Sequence, residues 1–253
     1  MNERMGWTEG ARAVRLVAAR EIGSSLDSWI APIAAIAFTL LANSIFMNGF
    51  FLSGKLDLTP YFDLLPLLFA FFLPAISMRL WAEEKKHRTV EFLLTLPIRP
   101  FQAVLGKYLA ALFLFGLFLF GSAPLPILLE ALGEPDRGLF VSGYLGAFLL
   151  GGFLLALGSL CSALSRDQIV AFVTSTLAGF FLVLSGDERV VAVLDGLFPS
   201  LALGTFIATN VSALTPYRAL ERGLVELSSI LYFVGLSGVA LWVSSLFLER
   251  SRA

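Results

Sequence analysis

Apolar residues run along the chain in blocks, and the blocks share a length. Residues 30–52, 61–81, 104–129, 139–164, 168–185 and 228–248 are dominated by Leu, Phe, Ala, Val and Ile, with few charges inside. A helix rising about 1.5 Å per residue needs about 20 residues to cross roughly 30 Å of hydrocarbon. Each block is near that length. Helix is the geometry of choice, because it satisfies every backbone group within its own segment, whereas a lone apolar strand would not. The pattern predicts an all-α integral membrane protein, a single transmembrane domain over 1–253 with six transmembrane helices.

Smaller features modulate the blocks. Pro66 and Pro74 fall in the second, and Pro124 and Pro126 near the end of the third, where each removes a backbone hydrogen bond and favours a kink. The fourth carries Gly143, Gly146, Ala147, Gly151, Gly152 and Gly158. Ala147 and Gly151 form a small-xxx-small pair that lets another helix approach, either within the chain or across a dimer seam. Ahead of the first block, residues 11–22 place Val14, Val17, Ala18 and Ile22 on one side of a helix and Arg12, Arg15 and Arg20 on the other. That is the pattern of an interfacial helix on the inner leaflet, within a cytoplasmic segment 1–29. The outer segment 186–227 holds two apolar stretches, 190–198 and 201–208, too short to cross and divided by Pro199. A re-entrant pair before the last span fits, as do helices lying flat on the surface.

Composition agrees with a lipid environment. Hydrophobic residues make up 57% and charged residues 15%, with a mean hydropathy of +0.83, against about 45–50% and about 25% in soluble domains. A net charge of −1 gives no footing for a nucleic-acid partner. With both termini inside, thirteen of the 18 basic residues fall on the inner side and five (Lys55, Arg137, Arg189, Arg218, Arg222) on the outer. The positive-inside rule then predicts a multi-pass protein of the cell (inner) membrane with N and C termini cytoplasmic. The first apolar block is too long for a signal-peptide core, so no cleavable signal is expected. Cys161, the only cysteine, excludes an internal disulfide and reads as a packing residue.

Candidate chemistry is sparse. One histidine, His87, excludes a His-pair metal site, and no GxSxG, HExxH or GxxxxGK[ST] motif occurs. No catalytic, cofactor or metal site is expected in this chain. Asp63 and Glu130 could serve an intramembrane carboxylate mechanism, although both fall near the outer ends of their blocks. The dense charge cluster lies in the cytoplasmic loop 82–103. There Glu83, Glu84, Lys85, Lys86 and Arg88 precede Val90, Phe92, Leu93, Leu94 and Leu96, and Pro97 stops the run. Such a helix can hold its apolar half on the membrane domain and offer its charged half to a soluble partner. It can equally be a solvated loop that enforces topology. Pro100 suits the first turn of the next helix.

This segment resembles the signature of permease subunits of type-2 ABC exporters. The likeness is greatest to the small six-span group that includes gliding-motility permeases and nitrous-oxide-reductase maturation permeases. Arg79, Glu83, Glu84, Lys86, Thr89, Glu91, Leu93, Leu94 and Pro97 occupy the matching positions. Gly106 and Lys107 resemble the group's Gly-Lys at the start of the third span; Arg222, Gly223, Glu226, Tyr232 and Phe233 resemble its pattern before the last span. Arg88 departs from the usual glycine, which favours continuous helix. The resemblance implies a coupling helix docked on a dimer of separate ABC ATPase subunits, with ATP bound there and not by this chain. It also implies an N-terminal elbow helix, a re-entrant pair, and a second permease subunit, identical or related. The expected function is the permease subunit of an ATP-driven exporter. The alternative is a mechanotransmission subunit, driven the same way and acting on an extracytoplasmic partner through 186–227.

Overall fold

The structure is a computed structural model describing residues 7–87, 98–197 and 201–250. Among these residues all regular structure is helical. In chain order the helices are α1 (Trp7–Asp27), α2 (Ile30–Ser53), α3 (Thr59–Ser77), α4 (Arg79–Lys86), α5 (Pro100–Phe120), α6 (Pro124–Leu132), α7 (Arg137–Leu164), α8 (Gln168–Leu184), α9 (Glu188–Leu197), α10 (Leu203–Asn210), α11 (Leu214–Glu221) and α12 (Leu227–Arg250). The first, fourth, fifth and sixth apolar blocks lie on α2, α7, α8 and α12 and end within a few residues of them.

The second and third blocks are longer and broken. α3 and α4 make one apolar stretch, Thr59–Lys86, and α5 and α6 another, Pro100–Leu132. Both Pro66 and Pro74 sit inside α3, yet the helix gives way only at Met78. There Ser162 of α7 fits into the gap. Its hydroxyl accepts from the backbone N–H of Trp81 and of Ala82, each at 3.0 Å, and donates to the Met78 carbonyl at 2.8 Å. A polar group inserted beside the helical ladder is a recognised origin of such breaks, and here it satisfies donors that burial would otherwise orphan. Among the described residues, five helical stretches are long and apolar enough to cross a membrane, and a sixth is completed if α8 and α9, which meet at 82°, count together.

The glycine-rich α7 is the centre of the bundle, packed on α12, α3, α8, α11, α4 and α5. Lipid tails are as apolar as leucine, so helices in a bilayer associate through close contact more than through water exclusion. Gly151 admits the Phe115 ring of α5, and a Cβ there would lie 2.1 Å from it; Gly143 admits Phe62 in the same way, at 2.4 Å. Ala147 is fully buried. The small-xxx-small pair is therefore filled from inside the chain. Phe69 contributes an edge contact to Phe115 at 5.0 Å, joining α3 to this core. Large apolar side chains on the opposite faces, among them Ile36, Leu40, Phe113, Leu177, Phe181 and Trp242, stay exposed, as a lipid-facing surface requires.

Within 186–227 the two short apolar stretches fall on α9 and α10, which pack on one another. Asp195 near the end of α9 accepts from the Gly204 N–H at 2.7 Å and the Thr205 hydroxyl at 2.6 Å, fixing the start of α10.

The packing of α7 makes opposite forecasts for two classes of glycine. Gly151→Ala drives a methyl into the buried Phe115 ring and is expected to cost about 1–3 kcal/mol. Gly116→Ala, where nothing lies within 4 Å, is expected to be neutral or to stabilise by up to about 1 kcal/mol. Thermal unfolding of the purified protein in detergent distinguishes the two.

Candidate functional site

The charged cluster after the second span begins on that span's own helix. α4 reads RLWAEEKK, and its four-residue spacing sets Arg79 above Glu83. The Arg79 Nε donates to Glu83 at 2.8 Å, while a second guanidinium nitrogen reaches the Ser28 hydroxyl between α1 and α2. Glu84 turns toward Lys107 of α5, whose Nζ lies 3.0 Å from Glu84 and 2.9 Å from Glu21 of α1. The same ammonium sits 5.2 Å from the centre of the Trp81 ring. Lys85 donates to the Ala163 carbonyl at the end of α7. Lys86 and His87 are exposed.

Burial ranks these contacts. Lys107 is only 3% exposed, so its charge persists because two carboxylates and an aromatic face replace water. Stranding it would cost about 3–5 kcal/mol. The Arg79–Glu83 pair keeps a quarter to a third of its side-chain surface in solvent and contributes a few tenths of a kcal/mol, typically about 0.3–0.5. Lys107 therefore dominates. Gly106 beside it lets α1 lie close, since a Cβ there would come within 2.9 Å of the Val14 carbonyl and 2.8 Å of Val17. The stripe Val14, Val17, Ala18, Glu21 and Ile22 follows helical spacing and is the half-buried side of α1, while Arg12, Arg15 and Arg20 are exposed. A cavity of about 220 Å³ opens among α1, α2, α3, α4 and α5, lined by Arg20, Arg79 and Lys107 and by Glu21, Glu83 and Glu84. Its charges balance.

Four of the nine residues singled out in the sequence (Arg79, Glu83, Glu84 and Lys86) are thus brought together on α4. Thr89, Glu91, Leu93, Leu94 and Pro97 lie outside the described residues, as does Arg88. The Glu83 carboxylate engages Arg79 on its own helix, and that of Glu84 engages buried Lys107; Lys86 is exposed. Pro100 opens α5, where Gln102 accepts from the Arg99 N–H at 3.0 Å. Of the two carboxylates weighed for intramembrane chemistry, Glu130 pairs with exposed Arg137 at 3.0 Å, and Asp63 on α3 is exposed. They share no site. Among the described residues no group of His, Cys, Asp or Glu is placed to hold a metal ion. Glu21 escaped the sequence reading, although a carboxylate on the apolar stripe of α1 was the available signal. Lys107, a cation three residues into an apolar block, was matched there only by resemblance.

The sequence model of the ABC-2 family transporter proteins matches residues 52–248, most of the chain, and the chain belongs to that family. It is a multi-pass membrane protein and the permease part of an ABC transporter. Comparison with individually curated proteins finds no match.

The junction predicts a strong coupling between α4 and α5. Glu84→Gln and Lys107→Met each destabilise the protein, while the double variant is less unstable than the sum, by about 1–3 kcal/mol in a double-mutant cycle. Denaturant or thermal unfolding of the four proteins measures it.

Proposed function

We propose that this chain is the membrane-spanning subunit of an ATP-driven exporter, powered by a dimer of separate ABC ATPase subunits that bind at the segment 79–97. The observation that carries the reading is the continuity of α3 and α4 with the Glu21–Lys107–Glu84 junction. A movement imposed at the end of α4 reaches α1 and α5 through a buried ion pair, and α7 through Ser162 and Lys85. None of these contacts can be lost cheaply, so the charged end moves with the spans. ATP is bound and hydrolysed on the partner; no nucleotide site is needed here. Lys86, exposed at the tip of α4, meets the ATPase, and Thr89, Glu91, Leu93, Leu94 and Pro97 continue the docking surface. Arg79, Glu83 and Glu84 act from behind, holding α4 in position.

The basic residues orient both termini toward the cytoplasm of the cell (inner) membrane, with α1 as the elbow helix at the inner leaflet and α9–α10 turning back within the outer leaflet. A second six-span subunit, identical or related, completes the pathway. The motif around Glu83 and Glu84 supports the small group with gliding-motility and nitrous-oxide-reductase maturation permeases.

Copurification from native membranes tests this reading. An ATP-hydrolysing partner is expected to accompany the chain, and its turnover in vesicles is expected to rise when the two are together. Lys86→Glu should lower that stimulation about tenfold while leaving the thermal midpoint of the permease unchanged, since an exposed side chain contributes little to the fold. Full stimulation by Lys86→Glu together with Leu94→Ala would contradict the assignment of this surface.

A further inference from the structure

The cavity of about 220 Å³ beside the Lys107 junction has two chemically distinct ends. The apolar end is made by Ala34 of α2, Ala75 and Ile76 of α3, and Ala111 and Leu114 of α5. Leu114 lies two helical turns beyond Lys107, so this end reaches about 10 Å deeper into the spans than the ammonium does. Three alanines, one from each helix, keep it open where larger side chains would fill it.

The polar end comes from α1. Arg20, Glu21, Ser24 and Ser25 fall on one side of that helix by their spacing and line the cavity together. The other cations there are committed: Arg79 to Glu83 and Ser28, Lys107 to Glu21 and Glu84. The side chains of Arg20, Ser24 and Ser25 make no hydrogen bond or ion pair among the described residues. Glu21 spends one carboxylate oxygen on Lys107 and keeps the other. A guanidinium, two hydroxyls and a carboxylate oxygen are therefore on offer at this end.

That set has a definite complement. A guanidinium and hydroxyls bind phosphate oxygens, a carboxylate oxygen accepts from an ammonium, and the apolar end takes hydrocarbon. Three cations and three carboxylates make the lining neutral, which favours a zwitterion over a net anion. Charge at the end of the spans with an apolar floor between them also matches a bilayer leaflet from headgroup to chain. We propose that this cavity binds a phospholipid whose head carries a phosphate and a primary ammonium. The phosphate meets Arg20 and the two serines, the ammonium meets Glu21, and the start of one acyl chain lies among α2, α3 and α5. The bound lipid bridges α1 to the spans beside the ion-paired junction. This site is separate from the surface assigned to the ATPase and stands whether or not that assignment holds.

Native mass spectrometry of the full chain in detergent, titrated with phospholipids of identical chains, reads the site. Phosphatidylethanolamine should bind about tenfold more tightly than phosphatidylcholine, whose methylated nitrogen has no N–H to donate, and than phosphatidylglycerol, which has no ammonium. Arg20→Gln should weaken phosphatidylethanolamine about tenfold. Arg12→Gln removes the same charge from an exposed position of α1 outside the cavity and should leave binding unchanged. Ala75→Leu should weaken binding by filling the apolar end; Ala34→Leu serves in its place if Ala75→Leu does not fold. Phosphoethanolamine, the head without chains, should not displace the lipid at equal concentration. Equal binding of the three lipids, tighter binding of phosphatidylglycerol, or an Arg12→Gln loss as large as that of Arg20→Gln would overturn the site. So would full binding with the apolar end filled, or displacement by phosphoethanolamine.

Discussion

One buried ammonium organises the end of the bundle where α1, α4 and α5 meet. Lys107 lies five residues past Gln102, in a helix built largely from Ala, Leu and Phe, where an unpaired charge would be among the costliest groups to keep. Its two carboxylates come from different places in the chain, one from the N-terminal helix and one from the end of the second span. Because each of the three groups needs the others, α1, α4 and α5 are held as one unit. Gly106 brings α1 near enough for this to happen, and Trp81 closes the aromatic side. The balanced charges around the neighbouring cavity follow from the same requirement.

Away from that junction the fold relies on closeness. The glycines of α7 let aromatic rings of α3 and α5 reach its backbone, which supplies the dispersion contacts that lipid solvation cannot replace. Ser162 belongs to the same economy of small residues: it fills the break at Met78 and satisfies two N–H groups with one hydroxyl. A bundle so arranged can carry displacement along α3 and α4 to its centre.

How much of this could be read from the sequence differs by element. Four helices are visible as apolar blocks of membrane length, because burial in lipid demands that length and that composition. The broken spans were harder. Pro66 and Pro74 predict a kink, but α3 absorbs both, and the break is set by Ser162, more than 80 positions away and invisible to local reasoning. Pro124 does open α6, where a missing N–H costs nothing. At the site, Arg79 and Glu83 were marked by resemblance, and their pairing follows from four-residue spacing on a helix. The inward turn of Glu84 does not, since it depends on Lys107 from the next helix. Glu21 could have been suspected from its place on the apolar stripe of α1, where a charge needs an internal partner.

The claim on which all of this turns is that the exposed tip of α4 is where another, ATP-hydrolysing protein takes hold. A photo-crosslinking amino acid placed at position 86, in cells expressing the chain with its native neighbours, addresses it directly. The account predicts a covalent adduct with a nucleotide-binding protein, which a crosslinker at position 193 on α9 does not form. An adduct from position 193 in place of 86, or position 86 reachable only by reagents added outside the cell, would contradict it.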